Sequence, residues 1–322
     1  MGLKYRKTGG ESQVEGSEQG DTLVGSLKGA AEQSKKALTV HWDDLPEWQK
    51  DNHYIISGYV PETSSLWKCI HSLSYVHNET GNIYTHLLPG LVLLAALILG
   101  GTVASEYYLS LVPEYLSTSW RDHAAFTIFV AGCATCLGMS GVFHCLKSHS
   151  EVVASFGNKL DYFGIVVLIQ ASMVSMIYYG LYDHPKLQST FWGFTSVLGL
   201  GCTIASLSDR FRTPEWRPYR ATMFVLYGLS GVLPVVAGVM VLGFAESWNR
   251  SQLPWLLSEA FLYISGAGLY AARVPERFKP GAFDLWGHSH QIFHVLVLLA
   301  AFSHGKGLLN AYHYIHTSVI TN

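Results

Sequence analysis

The segment YTHLLPGLVLLAALILGGTVA, residues 84–104, contains no Asp, Glu, Lys or Arg. A helix needs about 20 mostly apolar residues to cross the hydrocarbon core of a bilayer, and this run has that length. Six further apolar runs follow it, at residues 123–145, 158–181, 190–207, 221–243, 254–271 and 286–309. The sequence therefore predicts an all-α membrane protein with seven transmembrane helices, of which the fourth and the sixth are the shortest.

The composition of the whole chain agrees with a lipid environment. Of the 322 residues, 49% are apolar and only 14% are charged, and the mean hydropathy is positive. These values lie outside the range of a water-soluble globular domain. The formal net charge of −2 and the absence of a basic stripe in the sequence argue against binding to nucleic acid. A membrane lipid is the expected partner.

The distribution of Lys and Arg predicts the orientation of the chain in the membrane. Counted before, between and after the predicted spans, 17 of these residues lie on the side of the N-terminus and 4 on the opposite side. Cytosolic loops carry the excess of positive charge in membrane proteins. We therefore expect a cytosolic N-terminus and, after an odd number of spans, a C-terminus outside. This orientation is the reverse of that of a G-protein-coupled receptor.

Three regions follow from these patterns. Residues 1–40 are rich in Gly, Ser, Glu, Gln and Lys, which predicts a disordered cytosolic tail. Residues 41–83 form a cytosolic juxtamembrane segment, in which Leu66, Ile70 and Leu73 recur at the spacing of an amphipathic helix. Residues 84–322 form the seven-helix transmembrane domain.

Three histidines are expected to meet at the cytosolic end of the predicted bundle. His144 ends the second predicted span, and His290 and His294 open the seventh. The last two are four residues apart, so their side chains share one helix face, with a rise of about 6 Å between them. Three histidine ligands leave zinc a fourth position, the arrangement of catalytic sites. The alternative is a packed pair of histidines that binds no metal.

Two oxygen-bearing side chains are expected beside these histidines. Asp161 opens the third predicted span on the same side, where it can hold and deprotonate a water molecule at the ion or ligate the ion directly. Its alternative role is to cap the helix. Ser140 lies one turn before His144 and can orient the water or the substrate carbonyl, or simply bond to its own helix backbone. We predict that Asp161 and Ser140 are catalytic residues.

Other histidines are interpreted without a metal. His304 lies 14 residues beyond His290, about 21 Å along a helix, and cannot join the same ion. His288 is expected to be a polar interfacial residue. His86 lies at the correct depth near the start of the first span, but the sequence shows no partner for it, so it has no predicted role.

The residues around this candidate site form five distinctive stretches. They are LPEW (45–48) followed by Asp51 and Asn52, HNETGNIYTHLL (77–88), SGVFH (140–144), NKLDYFG (158–164) and SHQIFH (289–294). In these stretches the sequence resembles the progestin and adipoQ receptor family, which includes adiponectin receptors, fungal zinc-homeostasis membrane proteins and haemolysin-III-related proteins. The resemblance extends from about residue 41 to the seventh span.

The resemblance implies a seven-helix fold with a cytosolic N-terminus and a zinc ion near the inner face. His144, His290 and His294 would hold this Zn²⁺ ion. Asp161 looks like the residue that holds the water, and Ser140 looks like the hydroxyl of the family's Ser-x-x-x-His element.

The resemblance also implies a role in lipid binding for two more positions. In similar proteins, the positions of Tyr162 and Arg220 face the carboxyl group of a lipid. From the sequence alone, Arg220 is interpreted instead as a cation at a helix end that snorkels to the membrane surface.

Three functions are compatible with these residues. The first is zinc-assisted hydrolysis of an amide in a long-chain lipid, with ceramide as substrate and a fatty acid as product, because relatives include alkaline ceramidases. The second is a non-catalytic signalling receptor for an external protein or sterol ligand, with a structural zinc ion. The third, zinc transport, needs a second polar layer along the path, which only His304 suggests. A multi-pass protein of the plasma membrane or of an endomembrane is expected in each case.

Overall fold

The structure is a computed structural model that describes Gly2, residues 38–99 and residues 114–320, without the side chains of Arg210 and Arg212. The predicted tail over residues 1–40 lies almost wholly outside the described residues, as does the end of the first predicted span, residues 100–104. No β-strand occurs in the described residues, and a single antiparallel bridge joins Val40 to Tyr59. The prediction of an all-α membrane protein is confirmed for this part of the chain.

Eleven α-helices follow one another in the described residues. They are α1 (Leu66–His71), α2 (Thr80–Leu99), α3 (Trp120–Leu146), α4 (Glu151–Gly180), α5 (Pro185–Ser206), α6 (Asp209–Arg212), α7 (Arg217–Leu229), α8 (Val232–Leu242), α9 (Phe244–Arg250), α10 (Leu253–Ala272) and α11 (Ser289–Tyr314). Short 3₁₀ turns cover Trp42–Asp44, Glu47–Gln49, Ser72–Ser74 and Pro214–Trp216, and a π-helical turn covers Ile315–Val319. The predicted amphipathic helix corresponds to α1, where Leu66, Trp67 and Ile70 are exposed.

In the part of the chain that the structure describes, five segments are long and apolar enough to cross a membrane, where the sequence predicts seven. They are Thr80–Leu99, Trp120–Leu146, Glu151–Gly180, Pro214–Leu242 and Ser289–Val319. The helices at the fourth and sixth predicted runs, α5 and α10, have 22 and 20 residues and are therefore long enough. Their most apolar stretches have a lower mean hydropathy than those of the other five segments, which is why they are not in this set.

Local sequence explains where the helices begin and break. Ser119 and Asp122 form a capping box at the start of α3, and the Ser150 side chain accepts from the backbone of Val153 at the start of α4. The helix α4 therefore begins seven residues before the predicted run, which began at 158. In the fifth run, α7 ends before Ser230 and α8 begins after Gly231, because Pro234 has no N–H to offer the carbonyl one turn earlier.

Glycines bring α2 and α3 into close contact at the level of the candidate site. A Cβ atom on Gly90 would lie 2.8 Å from the backbone nitrogen of Gly138, and one on Gly141 would lie 2.7 Å from Cα of Leu87. Small residues allow this close approach of membrane helices. The contact places His86 of α2 directly against Ser140 of α3.

The segment before the first span is bound to the connection between α10 and α11. Asp284 accepts from the backbone N–H and the hydroxyl of Ser57, at 2.9 and 2.7 Å. Glu276 is 3.1 Å from the amide nitrogen of Asn52 and accepts the backbone N–H of Ser289 at 2.7 Å. Because Ser289 is the first residue of α11, these bonds fix the helix end that presents His290 and His294.

Candidate metal centre

The structure brings His144, His290 and His294 together, as the spacing predicts. His144 lies in the last turn of α3, and the other two lie in the first two turns of α11. The candidate ligand atoms of the three residues all lie within 4.8 Å of one another. The ring centroids are 4.8 Å apart for His144 and His294 and 4.9 Å apart for each other pair. We call these three residues the histidine triad.

Hydrogen bonds orient two of the three rings. Nδ1 of His144 lies 2.8 Å from Oε2 of Glu79, and Nδ1 of His294 lies 3.1 Å from the carbonyl oxygen of Asn82. A carboxylate or carbonyl oxygen accepts, so each Nδ1 carries the proton and each Nε2 keeps its lone pair. Nε2 of His144 is buried and has no hydrogen-bond partner among the described residues. This arrangement fits a metal ion, since ligating histidines usually donate their other N–H to an oxygen.

The acidic partner of His144 is held ionised. Burial alone raises the pKa of Glu79, but the Lys147 ammonium and the neighbouring His144 ring outweigh burial and lower that pKa well below its ordinary value. The Lys147 Nζ atom lies 2.7 Å from Oε1 of Glu79. The carboxylate therefore accepts from His144 while its other oxygen binds the lysine.

Asp161 and Ser140 lie beside the histidine triad. Asp161 does not belong to the group formed by the three histidines, and both residues line the adjoining cavity. Asp161 lies ten residues into α4, which begins at Glu151 after its cap Ser150. The alternative role of Asp161 as a helix cap is therefore wrong.

His86 is a component of the site that sequence reasoning missed. Its ring stacks on that of His294, with centroids 3.7 Å apart and an angle of 9° between the planes. Its Nε2 lies 3.1 Å from the carbonyl oxygen of His294, and its Nδ1 lies 2.9 Å from Oγ of Ser140. Because the carbonyl accepts, Nε2 carries the proton, and the Ser140 hydroxyl donates to Nδ1. Ser140 is thus bonded to His86 and not to its own helix backbone.

The sequence contains a weak signal for Glu79 but none for the role of His86. Glu79 precedes the first span and is therefore expected at the same end of the bundle as His144. The contacts of His86 are with α3 and α11, more than 50 and 200 residues away along the chain. Local spacing does not reveal such contacts.

Tyr162 and Arg220 also lie together on the wall of the cavity. The guanidinium carbon of Arg220 is 5.3 Å from the ring centroid of Tyr162, and both side chains are buried. Nη1 of Arg220 donates to the carbonyl oxygens of Phe211 at 2.5 Å and Thr213 at 2.8 Å. The interpretation of Arg220 as a snorkelling cation is wrong, because the residue is enclosed by protein.

Two other histidines considered in the sequence, His288 and His304, lie apart from the triad. His288 is only 3% exposed and its Nε2 lies 3.0 Å from the carbonyl oxygen of Asn78, so it is a buried residue and not an interfacial one. His304 pairs with Glu259 further along the bundle, with 2.8 Å between Nδ1 and Oε2. The prediction that His304 does not join the other histidines is confirmed.

A long cavity of about 570 Å³ passes the histidine triad, and His290 and His294 line it. It runs among α4, α7, α8, α10 and α11, and its lining on α4 extends from Ala154 to Met176. That stretch corresponds to about 33 Å of helix. Most of the lining is apolar, and His290, His294, Asp161 and the Tyr162–Arg220 pair supply polar groups near one end. The volume is within the usual range of ligand-binding cavities.

The chain matches a known family over most of its length. The model of the family described as "Haemolysin-III related" matches residues 74–305, which include the histidine triad, Asp161 and Ser140. The match also includes the positions of Glu79 and His86, the two residues that hold the triad and Ser140 in place.

Curated relatives from fungi, animals and plants are similar to the chain. The "ADIPOR-like receptor IZH2" of Saccharomyces cerevisiae is 48% identical over 85% of this chain and 84% of its own length. The "Adiponectin receptor protein" of Drosophila melanogaster is 40% identical over 83% of this chain and 58% of its own length. The "Heptahelical transmembrane protein 3" of Arabidopsis thaliana is 34% identical over 82% of this chain and 84% of its own length.

Proposed function

The chain belongs to the haemolysin-III-related family and is an adiponectin-receptor-like, multi-pass membrane protein, and from this premise we propose that it is a zinc-dependent hydrolase of a lipid amide, with ceramide as its substrate. One observation carries the proposal. Three imidazoles from two helices converge beside a mostly apolar cavity that is large enough for an acyl chain.

The donor set of the triad suits zinc. His144, His290 and His294 would hold the ion, and the free Nε2 of His144 supports this role. Three neutral imidazoles leave one position for water or substrate. When bound, zinc would lower the pKa of water to about 7 and polarise a carbonyl group.

The protein's own oxygen atoms would handle the water and its proton. Asp161 faces the cavity beside the triad and would accept a proton from the attacking water. The Ser140 hydroxyl donates to His86, so its oxygen is left as an acceptor and would orient the water.

The cavity would hold the acyl chain of the lipid. Each buried methylene contributes about 0.8 kcal/mol, so affinity should increase with chain length until the cavity is filled. Arg220 and Tyr162 line the cavity near the triad and would face the carboxyl group of the fatty acid product. Nε of Arg220 is buried without a hydrogen-bond partner among the described residues, which supports this role.

The full topology is part of the proposal. In addition to the five segments identified above, α5 and α10 would cross the membrane, which gives seven spans with a cytosolic N-terminus and an external C-terminus. The excess of Lys and Arg on one side supports this orientation. The name of the Arabidopsis relative, "Heptahelical transmembrane protein 3", supports the number. The histidine triad would then lie near the inner face of the membrane.

Hydrolysis can be tested on the purified protein. We expect incubation with ceramide to release free fatty acid, measured by mass spectrometry, and metal analysis to find one zinc ion per chain. The variant His294→Ala should lose both, whereas His71→Ala, which removes an exposed histidine of α1, should lose neither. Turnover that does not exceed that of His294→Ala would exclude the hydrolase proposal.

A second candidate is a signalling receptor for an external protein or sterol ligand, with a structural zinc ion. The names of two relatives, which contain the word "receptor", favour it. The variant His290→Ala separates the two candidates. If zinc is structural, the variant should lose its folded state, measured by thermal unfolding in detergent. If zinc is catalytic, the variant should remain folded and lose turnover.

A further inference from the structure

Away from the histidine triad, a second group of polar side chains lines the cavity. Glu259 of α10 and His304 of α11 are 7% and 6% exposed, and Nε2 of His304 lies 3.1 Å from Oγ of Ser175. Glu259 and His304 also line a separate small pocket beside Gln252, so they lie between that pocket and the cavity. Ionisable side chains inside a membrane bundle mark candidate functional sites.

Ser172 supplies a hydroxyl group at this end of the cavity. Serines in helices often bond to a carbonyl one turn earlier, as Ser175 does to Ala171 at 3.1 Å. The Ser172 hydroxyl has no such bond. It has no hydrogen-bond partner in the part of the chain that the structure describes, although Ser172 is only 8% exposed and lines the cavity. Because a buried hydroxyl without a partner is costly, Ser172 is expected to bind a polar group inside the cavity.

Ser172 and Glu259 together define the chemistry of that polar group. Oε2 of Glu259 faces His304, and the second oxygen of the carboxylate is available to accept a hydrogen bond. The Ser172 hydroxyl is available to donate one. A hydroxyl group both donates and accepts and therefore suits this pair, whereas a carboxylate would be repelled by Glu259.

The position of Ser172 along the cavity defines where the hydroxyl group must be on a ligand. Ser172 lies 11 residues beyond Asp161 on α4, a rise of about 16 Å. An extended chain advances about 1.2 Å per bond, so about 13 bonds separate a group beside Asp161 from one beside Ser172. This distance reaches about carbon 14 of an acyl chain, near the methyl end of a sixteen-carbon chain.

We infer that the end of the cavity around Ser172 and Glu259 is a binding subsite for a hydroxyl group on the distal part of a long acyl chain. The inference rests on the proposed function in one respect, because it takes the cavity as the site of the acyl chain. The protein would then prefer lipids whose acyl chains are hydroxylated near the methyl end over lipids with plain chains.

The test is a competition binding assay on the full-length protein in detergent. Radiolabelled hexadecanoic acid is displaced by unlabelled hexadecanoic acid or by ω-hydroxyhexadecanoic acid, and the ratio of the two affinities is measured. In Ser172→Ala we expect the ratio to shift by roughly threefold to tenfold against the ω-hydroxy acid, the equivalent of one hydrogen bond. The affinity for the plain acid should remain unchanged.

Matched controls isolate the hydroxyl contact. With α-hydroxyhexadecanoic acid, whose hydroxyl lies beside the carboxyl group, the ratio should not depend on Ser172. The variant Ser189→Ala makes the same change at an exposed serine that bonds to Pro185, and it should retain the wild-type ratio. A shift of the affinity ratio in Ser189→Ala as large as the shift in Ser172→Ala would overturn the inference.

Glu259→Gln provides a second variant with a different expected result. It should reduce the preference for the ω-hydroxy acid and also improve the binding of hexadecanedioic acid, because the repelling charge is removed. An unchanged ratio in both Ser172→Ala and Glu259→Gln, or failure of both acids to bind the wild type, would overturn the inference. The assay measures binding without turnover, so absence of ceramide hydrolysis would reject the proposed function and leave this inference standing.

Discussion

Each end of α3 contains a cluster of buried polar side chains. The two clusters differ in whether all of their polar atoms have hydrogen-bond partners. At its start, Asp122 is 1% exposed, and every contact of its carboxylate is internal to the protein. At its end, about 33 Å away, His144 is 2% exposed but has a buried ring nitrogen without a hydrogen-bond partner in the described residues. A buried cluster with complete hydrogen bonds stabilises the fold, whereas one with an unused lone pair is prepared for a ligand.

The Asp122 cluster shows how complete such bonding can be. Oδ1 lies 3.3 Å from the hydroxyl of Tyr178, 3.1 Å from that of Tyr179 and 3.2 Å from Nε2 of His316. Oδ2 accepts from the backbone and side chain of Ser119 at 2.9 and 2.8 Å. Both oxygens of the carboxylate are therefore occupied, and no atom of it is left for a ligand.

The largest expected difference between the clusters is in zinc binding. His144→Ala should reduce zinc content and turnover to less than about a hundredth of wild type, because loss of a partner outside the ligands already costs 10–100-fold. Folding should be affected less, since the removed ring carries a nitrogen with no protein partner. Metal analysis and the fatty-acid assay measure the first effect, and thermal unfolding of metal-free protein measures the second.

The matched control for His144→Ala is the same substitution at His316, the buried histidine of the Asp122 cluster. His316→Ala removes a buried ring from the Asp122 cluster, where Nε2 and Nδ1 both have partners. It should lower stability and leave one zinc ion per folded chain. Equal loss of zinc in the two variants would contradict the distinction between the clusters.

The Asp122 cluster should dominate stability instead. Asp122→Ala leaves the hydroxyls of Tyr178 and Tyr179 and a ring nitrogen of His316 without their acceptor, and it removes the cap of α3. Removal of one member of a buried charged pair costs about 3–5 kcal/mol. The free energy of unfolding in a detergent titration should fall by that amount, with the zinc content of the folded fraction intact. A loss of zinc at unchanged stability would contradict the view that the Asp122 cluster stabilises the fold and does not support the metal.

Much of this arrangement was predictable because it depends on local spacing. The apolar runs located the long helices, and the four-residue spacing of His290 and His294 put both rings on one face. The orientation from Lys and Arg placed His144 at the same end. These inferences need only the period of a helix and the length of a span.

The remaining features depend on contacts between distant segments. The bonds of Glu79 to His144 and of His86 to Ser140 join residues 65 and 54 positions apart, through the glycine contact of α2 with α3. The first turns of α4 were missed because the predicted run begins at residue 158, whereas the Ser150 cap starts the helix at Glu151. α5 and α10 were predicted as spans from their apolar runs, whereas their mean hydropathy is lower than that of the other five segments.

Glu79→Gln sharpens the comparison by changing an outer partner of the triad. The amide oxygen of Gln can still accept from Nδ1 of His144, but the negative charge beside His144 and Lys147 is lost. We expect zinc affinity to fall about 10–100-fold, measured by competition with a chelator of known affinity. Glu47→Gln is the matched control, since Glu47 is exposed and Lys50 is its one ion-pair partner among the described residues. An affinity equal to that of Glu47→Gln would show that Glu79 does not support the metal.

The smallest expected effect comes from the removal of one hydrogen bond at the Asp122 end. Tyr179→Phe deletes a hydroxyl that lies 3.1 Å from Oδ1, while Tyr178 and His316 continue to donate to the same oxygen. Because the carboxylate stays bonded, the loss should be about 0.5–1.5 kcal/mol in the free energy of unfolding, without a change in zinc content. Combined with Asp122→Ala, the substitution should cost much less than it does alone, since its acceptor is already absent. Strict additivity in this double variant would mean that the Tyr179 hydroxyl stabilises the protein through some other contact, and the view of Asp122 as the centre of a closed cluster would fail.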